Sequence, residues 1–190
     1  MLVLIIPVVA GLVVGRALGG RFGHLSGLRL RAPVVLVAAL AVQVLLLGRV
    51  ARGPRVALML ATYAAVGIWL AVNVRHRPAA LRLGLVLVAA GWALNMAAIV
   101  PSGGMPVSAA ALRRIGAPAG VDVARGHLSK HVAADAGWLG DAIPVVPLDA
   151  VISVGDVVMG LGIAVVVAAG MRRAQADGTP SNDRQSPTRA

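Results

Sequence analysis

The sequence predicts an all-α fold, an integral membrane bundle of about five transmembrane helices with a long, partly helical loop between helices four and five. Two observations carry most of this prediction. Hydrophobic residues make up 58% of the 190-residue chain and the mean hydropathy is +0.86, whereas an ordinary soluble domain is nearer half apolar. The apolar residues also form long runs, which are separated by breaks that carry arginine. This pattern is typical of a multi-pass helical membrane protein.

The charge and the aromatic content exclude a nucleic-acid partner. The formal net charge is +11, but the basic residues are distributed through the breaks between apolar runs, where such residues fix membrane topology. Three Trp, one Tyr and one Phe provide no aromatic platform on which bases could stack. The chain has no Cys, which excludes disulfides and thiolate chemistry.

The first predicted helix covers residues 2–18. No basic residue precedes this run, whereas Arg16 and Arg21 lie near its end, so we expect a retained helix and not a cleaved signal peptide. The second predicted helix covers residues 33–48 and is opened by Pro33, since proline is well placed at a first helical position.

The remaining apolar runs predict a third helix at residues 56–74, a fourth at 83–100 and a fifth at 151–171. Runs of about 16–19 residues, at about 1.5 Å per residue, are long enough for a bilayer core. Residues 101–149 form the long loop, and the polar tail at 172–190 is predicted to be disordered.

The basic residues also predict the orientation. With the N-terminus outside and the C-terminus in the cytoplasm, eleven of the eighteen basic residues lie inside, and this excess favours that orientation. Arg, Ala, Val and Gly exceed Lys, Ile and Phe, which indicates a GC-rich bacterial genome. We therefore predict a location in the bacterial cell membrane.

Polar residues near one end of four predicted helices form a possible ligand site. They lie about 7–9 Å below the same surface, at about 1.5 Å per residue, and are Gln43, Thr62, Asn95 and Asp156. Polar side chains in a span normally turn towards one another or towards water. One interpretation is a vestibule or ion site; the favoured one is hydrogen bonding between helices, worth about 0.6 kcal/mol per contact.

Asp156 also has a local explanation. The segment "SVGD", from Ser153 to Asp156, matches a capping box, in which the serine caps the helix and the acid returns a bond to its first turn. A helix that starts at Val154 would still span the bilayer core. Capping is the favoured role of Asp156, and proton or cation binding is the alternative.

The long loop contains two further patterns. "PSGGMPVSAAALRRIG" predicts a glycine-rich exit from the fourth helix and then a short amphipathic helix that ends at Gly116. The N–H groups around Ser102, Gly103 and Gly104 offer an anion nest as an alternative role for the exit.

"HLSKH" spaces His127 and His131 for one face of a helix, with Asp135 four residues further on. Two His and a carboxylate are possible Zn²⁺ ligands. The chain lacks Glu altogether, however, so the metalloprotease motif is absent. We favour a solvated or interface helix here and predict neither a metal nor a cofactor.

Small residues recur every four positions in the first predicted helix, at Gly11, Gly15 and Gly19, and alanine rows with the same spacing occur in the third and fourth. Such rows let helices approach closely in lipid. We therefore predict a helix-packing role for the three glycines.

Three stretches in order, "LNMAAIVPSGGMPVS", "KHVAADAGWLGDAIPVVP" and "ISVGDVVMGLGIAVVV", resemble a family of small multi-pass membrane proteins of actinobacteria and clostridia, classified as a domain of unknown function. The connection "GRFGHLSGLRLRAP" is similar too, so the resemblance covers about residues 1–171. The matching positions are Asn95, Gly103, Gly104, Met105, Pro106, Val107, His131, Gly140, Asp141, Pro144, Gly155 and Asp156. Ser102 stands where the family has Asn, and His127 is outside the pattern. The resemblance implies no reaction, but it directs attention to the long loop and the adjoining helix ends.

Three functions remain open. The first is a non-catalytic scaffold or accessory subunit in the lipid bilayer, whose long loop binds another membrane protein or a second copy of the chain. The second is a small transporter or channel component that uses the polar cluster around Asn95 and Asp156. The third is a membrane enzyme that uses Asp141, His131 and Asp156, which would need an acid and a base close to one substrate. We favour the first.

Overall fold

Apolar helices form most of the structure, a computed structural model that describes residues 2–28, 30–42, 52–75, 77–118 and 130–172. The helices outside the long loop are α1 (Leu2–Ala17), a 3₁₀ helix (Phe22–Gly27), α2 (Val34–Ala41), α3 (Arg52–Val74), α4 (Ala79–Ser102) and α6 (Val154–Arg172).

Three segments within these helices are long and apolar enough to cross a membrane: Ala57–Val74, Ala79–Ser102 and Val154–Arg172. In α1 the apolar stretch Ile5–Ala17 is shorter. The second predicted helix is described as far as residue 42 and contains α2 there, and its predicted end, with Gln43, lies outside the described residues. The mainly helical class is thus confirmed, with three long apolar helices.

α4 and α6 pack against each other in antiparallel directions, with glycines at the contact. A Cβ atom built on Gly91 would lie 2.7 Å from Met159 Cβ, and one on Gly84 would lie 2.8 Å from the Val166 backbone N. Because no side chain separates them, the two backbones come closer here than alanine would allow.

α1 runs parallel to α6. Gly11 faces Ala164, and Gly15 faces Ala168 and Met171 one turn further along both helices. Gly19 differs, since it has a φ of +82° in the turn after α1, and no atom lies within 4 Å of its Cβ position. The close approach therefore uses the first two glycines of the row, and the third permits the turn.

α3 runs antiparallel to α4. Gly67 faces the Trp92 ring, and Met59, two turns earlier on α3, packs with Ala98 and Ile99, two turns later on α4. Met105, just beyond α4, completes this buried apolar cluster.

The loop after α4 contains strands, which the all-α prediction missed. Its elements are β1 (Met105–Ser108), α5 (Ala109–Arg114), β2 (Lys130–Ala133), β3 (Ile143–Val145), a 3₁₀ helix (Val146–Leu148) and β4 (Ala150–Ile152). β1 and β2 pair in parallel and β3 and β4 pair antiparallel.

The helix predicted around "HLSKH" is wrong for the part that is described, because Lys130–Ala133 is strand β2; His127 lies outside the described residues. The histidine spacing fits a helix, but ladder pairing with β1 provides partners for the backbone groups instead. The other predicted loop helix lies at α5, where Ser108 Oγ accepts from Ala111 N–H and Gly116 follows with a φ of +74°.

Candidate functional site

The end of α4, the start of α6 and the sheets between them meet at one end of the bundle. Two of the predicted polar residues lie here in a hydrogen-bonded group, Asn95, Ser153 and Asp156, which we call the junction network. Asn95 Nδ2 donates to Asp156 Oδ1 at 2.8 Å, and Ser153 Oγ donates to Asn95 Oδ1 at 2.8 Å. Asn95 thus links α4 to the first turn of α6.

Ser153 and Asp156 also form a reciprocal cap at the start of α6. Ser153 Oγ accepts from Asp156 N–H at 3.0 Å, and Asp156 Oδ2 accepts from Ser153 N–H at 3.1 Å. This is the hydrogen-bond pattern of a capping box. The acid lies at the end of the helix where its dipole favours negative charge.

The junction network uses the polar atoms that a ligand would need. Both carboxylate oxygens of Asp156 and the side-chain carbonyl of Asn95 accept protein hydrogen bonds, and Ser153 is buried. Thr62, another member of the predicted cluster, is buried and donates to Met59 O of its own helix at 2.8 Å. The bonds of the junction network thus tie α4 to α6, whereas the Thr62 bond lies within α3.

A second polar pair lies within the sheets of the loop. Lys130 Nζ forms an ion pair with Asp141 Oδ2, and the Asp141 side chain is 1% exposed. The backbone fixes this position, because Asp141 N–H donates to Pro106 O at 2.9 Å and Ser108 N–H donates to Asp141 O at 2.9 Å. Asp141 thereby extends the sheet beyond β1 and its partner strand.

The Asp141 carboxyl has a pKa that is raised from its ordinary value of 3.8. Burial raises its pKa above 3.8, the nearby Lys130 ammonium lowers the pKa in part, and the charge of Asp156 raises it further. The other carboxylate oxygen, Oδ1, is buried and has no hydrogen-bond partner among the described residues. The charge of Lys130 is therefore the main compensation for burying this acid.

His131 does not join Asp141. Successive side chains of a strand point to opposite faces, so when Lys130 of β2 reaches Asp141, His131 turns away, and it is exposed. Asp135 Oδ1 accepts from Gly137 N–H in a local turn. Within the described ranges no three or more His and Asp side chains are grouped as metal ligands. The acid–base pair required by the enzyme hypothesis therefore does not form between His131 and Asp141.

The glycine exit from α4 is a helix cap. Gly103 has a φ of +63°, and the N–H groups of Gly103 and Gly104 both donate to Ile99 O. These groups therefore satisfy the end of the helix and are not free to form an anion nest. Met105 and Pro106 follow in β1 and are buried.

Apolar side chains are exposed in the loop between α4 and α6. Trp138 is 70% exposed, and Val132, Ile143 and Val146 are exposed as well. Sequence reasoning did not single out Trp138, although a tryptophan in a polar segment between two apolar runs was a usable signal. Trp138 is the largest of these exposed side chains and is therefore the candidate contact for a partner.

Sequence reasoning also missed two contacts at the opposite end of the bundle. Arg21 N–H and His24 Nδ1 donate to Met171 O, at 3.0 and 2.8 Å, and so provide partners for a carbonyl in the last turn of α6. Asn73, near the end of α3, is fully buried and bonds to the backbone of Arg31. Its signal was a lone asparagine at the end of an apolar run.

A family model described as "Family of unknown function (DUF5317)" matches residues 27–168. This match confirms the resemblance to a family of unknown function. No curated protein and no solved structure matches the chain.

Proposed function

The chain belongs to the family of unknown function DUF5317, and since that family implies no activity, we propose a function from the geometry of the chain. We propose that it is a non-catalytic membrane subunit whose long loop docks a partner protein. The observation that carries the proposal is the exposed Trp138, which lies in the turn between β2 and β3, in the loop that joins two long apolar helices. The partner is another membrane protein or a second copy of the chain.

Helix directions support a five-span arrangement. α3 and α6 both run antiparallel to α4, and α1 runs parallel to α6, so α1 and α3 point the same way. A chain that crosses in one direction as α1 and again as α3 must return once between them. We assign that return to the segment that contains α2; the proposal then has five crossings, with α1 beginning and α6 ending on opposite sides of the membrane.

This arrangement puts the loop sheets on the same side as the N-terminus. Arginine bias favours the outside for that end, so the docking surface would face the cell exterior. Serine-to-cysteine variants test this in a chain without Cys: Ser102 and Ser26 are both exposed, and lie at opposite ends of the bundle. Labelling of intact cells with an impermeant maleimide should modify the Ser102→Cys thiol alone. Modification of the Ser26→Cys thiol alone would show that the chain has the opposite orientation in the membrane.

The exposed side chains of the loop include the residue type that binding hot spots favour. Tryptophan is enriched at hot spots, where its large area is removed from water, and the same loop also exposes the apolar Val132 and Val146. Backbone hydrogen bonds between Asp141 and β1 hold the sheets in place. A surface that is already ordered loses less entropy when a partner binds.

The polar groups support a structural role over transport or catalysis. A carrier needs side chains that are free to receive a ligand, whereas the junction network bonds to itself. The enzyme hypothesis requires His131 and Asp141 together, but Lys130 of β2 pairs with Asp141, and His131 points to the opposite face of that strand.

A photo-crosslinking experiment tests the docking surface. A benzophenone amino acid replaces Trp138 in intact cells, and the matched control replaces Phe22, an exposed aromatic at the opposite end of the bundle. We expect an adduct with one protein, or with a second copy of the chain, from position 138 alone. Adducts with lipid alone would instead indicate that Trp138 lies in the membrane interface, and would refute partner docking through this surface.

A further inference from the structure

A groove runs along the outer face of α3, at the end of the bundle opposite the loop sheets. It has a volume of about 390 Å³ and is lined by Arg31, Ile68, Ala71, Val72 and Arg75. Ile68, Ala71 and Val72 of α3 follow helical spacing, and Arg75, the residue after the helix, continues it. These four residues form one stripe that is apolar first and basic at its end. Ile68 on this stripe is 67% exposed, as a lipid-facing residue of a membrane helix would be.

Buried polar groups hold Arg31 beside this stripe. Arg31 N–H donates to Asn73 Oδ1 at 2.8 Å, and the Arg31 carbonyl accepts from Trp69 Nε1 at 2.7 Å and from Asn73 Nδ2 at 3.2 Å. Asn73 is 0% exposed, and the next residue, Ala32, has a φ of +47°. Three hydrogen bonds and a constrained backbone therefore fix an arginine at the groove.

Neither arginine at the groove has an acidic partner in the part of the chain that is described. The described acids, Asp135, Asp141, Asp149 and Asp156, all lie in the loop or in the first turn of α6, at the far end of the bundle. Both Arg31 and Arg75 are exposed. The groove thus combines uncompensated positive charge with an apolar wall on a helix long enough to span a membrane.

We propose that this groove binds an anionic phospholipid, with its phosphate between Arg31 and Arg75 and an acyl chain along Ile68 and Val72. Each guanidinium group can donate two parallel hydrogen bonds to the oxygens of one phosphate. Two arginines at one rim of the groove can therefore bind the same phosphate from two sides. Basic pockets at helix ends are known as a way to hold lipid head groups. The apolar wall selects a phospholipid over free phosphate, because phosphate alone would leave that wall uncovered.

Native mass spectrometry of the purified full chain tests the site. The protein is delipidated in detergent and titrated with phosphatidylglycerol, or with phosphatidylcholine that carries the same acyl chains. We expect tighter binding of phosphatidylglycerol, and a loss of about fivefold in affinity for each of Arg31→Gln and Arg75→Gln. The matched control is Arg82→Gln, an exposed arginine in the first turns of α4 at the same end of the bundle, which should bind as the wild type does.

A further variant distinguishes loss of the groove from misfolding caused by the arginine substitutions. Val72→Phe fills the groove while both arginines and the apolar character of the helix remain, and it should lower phosphatidylglycerol binding as the arginine variants do. Equal binding of the two lipids, an equal loss in Arg82→Gln, or unchanged binding in Val72→Phe would each overturn the site. Displacement of the lipid by millimolar inorganic phosphate would also contradict the proposal, because it would reduce recognition to the anion.

Discussion

Asn95→Ala is the sharpest test of whether the junction network holds α4 and α6 together. The substitution removes a hydrogen bond of 2.8 Å to Asp156 Oδ1 and another of 2.8 Å from Ser153 Oγ. At about 0.6 kcal/mol for each bond between membrane helices, the direct loss is about 1.2 kcal/mol. Ser153 is 0% exposed, so the variant leaves its hydroxyl buried without an acceptor, which adds about 1 kcal/mol or more to the loss of stability. We therefore expect a loss of about 2–3 kcal/mol in the free energy of unfolding.

Reversible unfolding in mixed detergent micelles, followed by circular dichroism, measures this loss. The matched control is Ser26→Ala, which removes an exposed hydroxyl that bonds locally to Gly23 O and should change stability by less than about 0.5 kcal/mol. A double-mutant cycle of Asn95→Ala with Ser153→Ala should give a coupling energy of about 0.6 kcal/mol or more. Additive single variants, or a loss below about 0.5 kcal/mol for Asn95→Ala, would refute the reasoning.

Two further predictions follow from the packing and from the buried acid. Gly155→Ala should destabilise the chain by about 1–3 kcal/mol in the same unfolding assay, because its Cβ would meet Asn95 Cγ at 2.7 Å, whereas Gly23→Ala, with no atom within 4 Å, should be tolerated. Since burial raises the folded-state pKa of Asp141 above 3.8, its contribution to stability is largest below that pH and is lost as the pH rises through the folded-state pKa. The stability of Asp141→Asn relative to the wild type should therefore increase from pH 4 to pH 7, and a difference independent of pH would contradict the raised pKa.

The sequence predicted the local features of the site better than the contacts between distant segments. "SVGD" predicted a capping box from spacing alone, because both partners lie within four residues, and the observed hydrogen bonds have that pattern. The sequence did not predict strand β2, because its pairing partner is distant in the chain. Its four residues are stabilised by pairing with β1, some 25 positions earlier in the chain, and a short segment of this kind has no decisive local signal.

The glycines illustrate the same limit. Spacing identified a row on the first predicted helix, but a row of three does not reveal that Gly15 contacts α6 while Gly19 forms a turn. On α4 the close approach to α6 uses Gly84 and Gly91, seven residues apart, whereas Ala93 and Ala97 of the alanine row are exposed. Which face of a uniformly apolar helix meets a neighbour depends on that neighbour, because all faces are hydrophobic enough for lipid.

Composition and periodicity by themselves determined that this chain consists mainly of apolar helices, since a run of such residues can satisfy its backbone only as a helix in lipid. They also determined where positive charge lies relative to the apolar runs, because charge is a property of the sequence. Only the tertiary structure decided which polar groups meet. Asn95 bonds to Asp156, Asn73 holds Arg31 and Lys130 pairs with Asp141, each across a distance in sequence that no local rule covers. These long-range contacts depend on how closely the helix backbones approach and on how the loop strands pair, and both are properties of the whole packed structure.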